Sequence, residues 1–227
     1  MLYLYSMGVV SVKAAKSRTT AILVRHGECE GNREGLFRGR KDFPLNENGF
    51  AQAKALAGEL AAFHTAQAIY SGPLSRAKET GRIIAEAIGI PLEIRNGIDN
   101  MSLGPWEGRP KTEIQEEYPE EWSLWLSNPE RLRLEGAETL EDVRCRAFAE
   151  LNQLVKSHKG QSFILVTHRA VLKPLFASAL DIAHPYFWRI HVDTASYSIL
   201  THEESRGYCL ITLNQTKHLP NLVSEWV

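Results

Sequence analysis

Three apolar runs in this chain each break off on a polar cluster. AILV at residues 21–24 leads into Arg25-His26-Gly27, AIY at 68–70 into Ser71-Gly72, and FILV at 163–166 into Thr167-His168-Arg169. Short runs of this kind, rich in Ile and Val and closed by polar or Gly positions, read as strands buried on both faces. Helical periodicity fills the chain between them. Strands that alternate with helices require a mostly parallel sheet with helices packed on both sides. Ligands bind such a sheet beyond the carboxyl ends of its strands, so the three polar clusters are expected to meet at one place.

The spacing predicts strands over Thr20–Val24, Ala66–Tyr70, Leu92–Ile94 and Ser162–Thr167. A closing pair, Ala195–Leu200 and Tyr208–Leu213, is expected around Gly207. One helix should run from Asn46, a good N-cap, to about His64, with Ala51, Leu56, Leu60 and Phe63 on its buried face. A second covers Ser75–Ile88 and stops at Gly89; a third covers Glu138–Ser157 behind Thr139; a fourth covers Ala170–Leu180. Residues 99–137 break the rhythm with Pro105, Pro110, Pro119 and Pro129 among Trp106, Trp122 and Trp125, and are expected to form a cover of short helices and loops. The fold class expected is α/β: a three-layer, Rossmann-like sandwich with a mostly parallel central sheet and helices on both faces.

A length of 227 residues suits one large domain, expected over 19–227. The apolar start MLYLYSMGVV lacks a leading basic residue and a clean cleavage site, so residues 1–18 are expected to be a poorly ordered extension, with Met7 as an alternative start. With 44% hydrophobic and 23% charged residues and a net charge of -1, the chain has no basic excess for nucleic acid, and no segment suggests a membrane partner. Cys29, Cys145 and Cys209 are too few and too scattered for a disulfide framework or a zinc site, which favours the cytoplasm. The expected partners are small molecules, and assembly as a homodimer stays open.

Two guanidiniums, Arg25 and Arg76, and two imidazoles, His26 and His168, converging at strand ends fit a phosphoryl group. Guanidinium forks match phosphate oxygens with paired, charge-assisted hydrogen bonds. The residues fall into blocks: LVRHGECEGNREGLFRGRKDFPL over Leu23–Leu45, YSGPLSRAKET over Tyr70–Thr80, WEG at Trp106–Gly108 and LVTHRAVLK from Leu165. Weaker blocks are EGAETLEDVRCR around Glu138 and LNQTKHL from Leu213. From Thr20 onward the chain resembles the histidine phosphatase superfamily, the branch of cofactor-dependent phosphoglycerate mutases and small-molecule phosphatases. The resemblance implies a metal-independent, cofactor-free phosphatase that hydrolyses small phosphomonoesters. His26 would be the nucleophile that becomes a phosphohistidine, and Arg25, Arg76 and His168 would neutralise the transferring group. Gly27, Asn32, Arg38 and Gly39 would complete the cradle.

Three positions depart from the family pattern. Cys29 stands where the family has Thr or Ser, and Arg169 where it often has Gly; Arg169 could reach phosphate or form a structural salt bridge. Asn100 occupies the place of the carboxylic acid that protonates the leaving oxygen, leaving Asp99, Glu107 or no residue for that task. Asp99 is the first choice, on condition that the backbone turns it inward, since neighbouring side chains of an extended chain point apart. The cover from 109 to 137 is short and acidic, with Glu113, Glu116, Glu117, Glu120 and Glu121, and this favours a phosphatase over a mutase-type transferase. A phosphate-binding regulatory protein with an impaired acid is the third reading. Trp122 and Trp125 are expected to pack in the core, and Arg131 and Arg133 to be solvated.

Overall fold

The computed structural model describes residues 18–220. Of the expected N-terminal extension only Arg18 falls within them, and the last seven residues of the expected domain lie outside. Six strands, β1 (Thr19–Arg25), β2 (Ala68–Ser71), β3 (Leu92–Ile94), β4 (Ser162–Thr167), β5 (Tyr197–Glu203) and β6 (Gly207–Gln215), form one sheet in the order β3-β2-β4-β1-β5-β6. The β1–β4, β2–β4 and β2–β3 pairs are parallel, whereas β5 and β6 close the sheet antiparallel. The mostly parallel sheet expected from the strand–helix alternation is therefore present.

Among the described residues six α-helices accompany it: α1 (Glu47–Phe63), α2 (Ser75–Ile88), α3 (Lys111–Glu117), α4 (Pro119–Ser127), α5 (Leu140–Ser157) and α6 (Arg169–Ala179). Strand alternation sends successive side chains to opposite faces. Ala21 and Leu23 of β1 join the core under α5 and α6, while Ile22 and Val24 join the core under α1 and α2. Helices thus cover both faces. Asn46 caps α1 by accepting from the Gly49 amide at 2.8 Å, and Thr139 with Asp142 forms a capping box at α5. The cover consists of α3, α4 and short 3-10 turns.

Several boundaries differ from expectation. The buried face of α1 is built from Gln52, Ala53, Leu56, Ala57 and Leu60, whereas Ala51 is exposed and Phe63 is 72% exposed. Phe63 is the last helical residue, beyond the end of the apolar stripe. β5 starts at Tyr197 because Ala195, with φ of 51°, turns so that its amide reaches the carbonyl of His26 at 3.0 Å. The strand then pairs on to His202, opposite Thr19. Among the described residues no helix is long and apolar enough to cross a membrane.

Candidate active site

The parallel register β1–β4 places Arg25 opposite Thr167, so the residues that follow, His26 and His168, emerge side by side. Backbone hydrogen bonds stitch the strand ends together: His26 N–H donates to Thr167 O at 3.0 Å, and Gly72 N–H donates to Val166 O at 3.1 Å. The two imidazole centroids lie 5.0 Å apart. His26 Nδ1 lies 2.7 Å from the carbonyl oxygen of Gly27. A carbonyl can only accept, so Nδ1 carries the proton and Nε2 keeps its lone pair.

Around this pair stand cations. Arg25 is buried and donates from Nη1 to Val192 O at 2.9 Å. Arg76, buried in the first turn of α2, donates to Gly39 O at 2.8 Å and Lys41 O at 3.1 Å, and its Nε–H is buried without a partner. Burial pulls its guanidinium down to about 10. Arg38 reaches in from the loop after β1 and donates to Gly31 O at 3.0 Å. Both ring nitrogens of His168 and Oδ1 of Asn100 are likewise buried without partners. Orphaned polar atoms of this kind are costly in a core and are typical of a place that a ligand completes. A cavity of about 260 Å³ opens here, lined by Arg25, His26, Asn32, Arg38, Gly39, Asn100, His168 and Arg169 among others.

Burial first, then Arg76 and Arg25, holds the proton affinity of His26 well below the ordinary histidine range. Burial and Arg76 do the same to His168. Both rings are neutral at pH 7, as a nucleophile requires. The unfolded chain takes up these protons near pH 6.5 and the folded one only at lower pH, so stability is complete above about 6.5 and declines below it. Urea unfolding between pH 7 and 5.5 should show this decline, and His168→Asn should flatten it. A profile unchanged by that substitution would show that the ring is not held neutral. A bound dianion supplies the missing countercharge, so saturating phosphate should also flatten the decline.

Asn32 Oδ1 accepts from the Cys29 amide at 2.9 Å and from the Cys29 thiol at 3.0 Å, so Cys29 holds Asn32 rather than facing the cavity. Gly27 differs from expectation. Its amide donates to Thr80 Oγ1 at 3.1 Å, and a Cβ on it would lie 2.6 Å from Gly49 O, so it serves close packing against α1 and is not among the cavity-lining residues. Gly39 does line the cavity. It has φ of 52°, and a Cβ there would strike the carboxylate of Glu107. Glu107 Oε1 accepts from the amides of Arg40 at 2.9 Å and Leu103 at 2.9 Å, a staple between two loops.

A 3-10 turn over Asn96–Ile98 delivers Asp99 and Asn100. Asn100 lines the cavity and donates from Nδ2 to Gly39 O at 2.6 Å. Asp99 stands beside it, outside the lining. Its Oδ1 accepts from the Asn100 amide at 2.6 Å, and Oδ2 lies 3.4 Å from Arg40 Nε. A Cβ on Gly72 would lie 3.5 Å from His168 Nε2 and 3.6 Å from Asp99 Cα, so Gly72 leaves room between the ring and this segment. Burial raises the Asp99 carboxyl above its usual range, against the pull of Arg40, Arg146 and Arg76.

Sequence reasoning missed what holds this segment. Arg146 donates to the carbonyls of Gly97 at 3.0 Å, Asp99 at 2.7 Å and Asn100 at 2.9 Å, and is itself held by Glu138 at 2.8 Å. Arg40 joins from the loop, 3.1 Å from Glu138. Glu138 precedes the Thr139 cap of α5 and Arg146 lies within the helix, eight residues on, a spacing that gives no local signal of the pair. Trp125 both lines the cavity and packs on Phe37 and Phe187. Arg131 and Arg133 are exposed, as expected. Among the described residues no cluster of three or more His, Cys, Asp or Glu is gathered to hold a metal ion.

The fold and the site define a class: an α/β protein with a cation-lined cavity around two buried imidazoles. The chain belongs to the histidine phosphatase superfamily, branch 1, whose profile matches residues 21–215. Phosphoserine phosphatase 1 of Hydrogenobacter thermophilus is 36% identical over 204 residues, 90% of this chain and 96% of its own. A metal-independent phosphoserine phosphatase of Arabidopsis thaliana is 34% identical over 168 residues, covering 73% of this chain and 70% of that protein. Among solved structures, Bacillus stearothermophilus YhfR superposes with a TM-score of 0.83 at 29% identity, covering 88% of this chain and 98% of its own.

Proposed function

We propose that this histidine-phosphatase-type phosphomonoesterase hydrolyses a small phosphorylated metabolite through a phosphohistidine on His26. The observation that carries the reading is the Nδ1–Gly27 hydrogen bond, which leaves Nε2 as a neutral nucleophile among Arg25, Arg38, Arg76 and His168. Nε2 attacks phosphorus and the P–O bond to the alcohol breaks, the leaving oxygen taking a proton from Asp99. Water then attacks the phosphohistidine, gives its proton back to Asp99, and releases inorganic phosphate as the P–N bond breaks. Splitting one displacement into two lowers each barrier, and the fixed cations stabilise charge on the equatorial oxygens.

Asp99 is the donor proposed because burial raises its carboxyl above its usual range, while Glu107 is committed to two amides; the Asp99 carboxyl stands beside the cavity lining, held by the Asn100 amide and Arg40, and has to turn from them to reach a leaving oxygen. Asp99→Asn is expected to slow alkyl phosphates by about 10²-fold and aryl phosphates, whose leaving groups need no proton, by much less. Equal losses on both would make Asp99 a structural residue. The relatives' names make O-phosphoserine the first natural ester to assay, beside p-nitrophenyl phosphate and in the presence of EDTA. Release of inorganic phosphate supports hydrolysis; movement of phosphate between positions of phosphoglycerate without release would replace it by transfer. The three cysteines are free thiols, which supports a reducing compartment such as the cytoplasm.

A further inference from the structure

Side chains hold four consecutive carbonyls in the segment that carries Asp99 and Asn100. Thr167, the neighbour of His168, donates from Oγ1 to Ile98 O at 2.7 Å. Arg146 donates from Nη1 to Gly97 O at 3.0 Å and Asp99 O at 2.7 Å, and from Nη2 to Asn100 O at 2.9 Å. Arg40 Nε adds a second bond to Asn100 O at 3.0 Å. One guanidinium, with its five donors in a fixed fork, thus spans most of the segment.

The fork is itself held. Glu138 accepts from Arg146 Nε at 2.8 Å and Nη2 at 3.0 Å, a paired, charge-assisted contact. The same carboxylate accepts from the Ser102 amide at 3.0 Å, and the Glu138 amide donates back to Ser102 O at 3.0 Å. Arg146 and Glu138 together therefore grip residues 97–102 at both ends. The segment also lies tight on α5, since a Cβ on Gly97 would come within 2.4 Å of Glu150 Oε2, one turn beyond Arg146. Yet Arg146 is not among the cavity-lining residues.

We propose that Arg146 is a positioning residue for the proton transfer: from α5 it fixes the backbone of 97–100 so that the Asp99 carboxyl can reach the leaving oxygen. That carboxyl starts from the Asn100 amide and Arg40 and has to turn away from them. With its Cα pinned, the turn is a rotation about side-chain bonds that ends in one place. With its Cα loose, the same turn ends in many, and a donor misplaced by about 1 Å can lose about 10²-fold in rate. The inference rests on the phosphatase reading above, with Asp99 as the acid.

The test compares glycerol phosphate, whose leaving oxygen needs a proton, with p-nitrophenyl phosphate, whose leaving group does not. Arg146→Met is expected to lower kcat about 10- to 100-fold for glycerol phosphate and no more than about threefold for p-nitrophenyl phosphate, with inhibition by inorganic phosphate unchanged; Arg146→Lys should recover part of the loss. In an Asp99→Asn background the same change should cost glycerol phosphate at most about threefold more, because the group being positioned is gone. Should Arg146→Met fail to fold, Glu138→Gln, which loosens the same fork, should shift the ratio of the two esters in the same direction. Equal losses on both esters, or the full loss repeated in the Asp99→Asn background, overturn the role of Arg146; the phosphatase reading still stands if p-nitrophenyl phosphate forms the phosphoenzyme. Absence of any phosphoenzyme in the wild type overturns both.

Discussion

His26→Ala is expected to lower turnover of every phosphomonoester by at least about 10⁴-fold. The same change should abolish the phosphoenzyme that an alkaline denaturing quench, which preserves a P–N bond, traps in the wild type. The magnitude follows from the chemistry. Without Nε2 the reaction must proceed by direct attack of water, and only positioning and charge neutralisation by the remaining cations are left to help. Folding should survive, because Ala removes a buried ring whose protonation was already unfavourable, so a circular dichroism spectrum like the wild type is expected at pH 7. Labelled phosphoenzyme persisting in the variant would move the nucleophile elsewhere, with His168 the next candidate.

Arg76→Lys is expected to cost about 10²- to 10³-fold in kcat although the charge is retained. The guanidinium is bonded to Gly39 O and Lys41 O, which leaves Nε–H as its buried, unpartnered donor. An ammonium cannot reproduce that division. It would bond either the loop carbonyls or an anion, and would lose its proton more readily in the same burial. The loss should appear in kcat and in weaker inhibition by inorganic phosphate, with a smaller fall in thermal midpoint. Activity within threefold of wild type would mean that Arg76 serves the loop alone.

Much of this was legible in the chain because it is local. Apolar runs closed by Arg25-His26 and Thr167-His168 mark both the strands and the reacting groups, and parallel pairing brings them together without further information. Other features depend on contacts between segments distant in sequence. That the Gly27 amide goes to Thr80 and Glu107 ties Arg40 to Leu103 follows only once the loop after β1 has met the cover. Alternation in an extended chain sets Asp99 and Asn100 apart, and the structure agrees, with Asp99 extended after the 3-10 turn and outside the lining and Asn100 inside it; only the contact of Arg146, from α5, with their carbonyls is beyond such local reading. On α1 the placing of Phe63 on the buried stripe failed for a simpler reason, since that stripe ends at Leu60, three residues before the helix does.

The partner of His26 Nδ1 is the carbonyl of the very next residue, and a peptide oxygen is present whatever side chain occupies that position. Where a carboxylate fixes the ring, as in a Ser-His-Asp arrangement, a single Asp→Asn change turns the imidazole into the wrong tautomer and cripples it. Here no such substitution exists. The orientation of the proposed nucleophile is written into the main chain, so it is insulated from point mutation except at His26 and at Gly27, where a Cβ would press on Gly49 O and shift the accepting carbonyl, and selection is free to remodel the surrounding side chains for new alcohols.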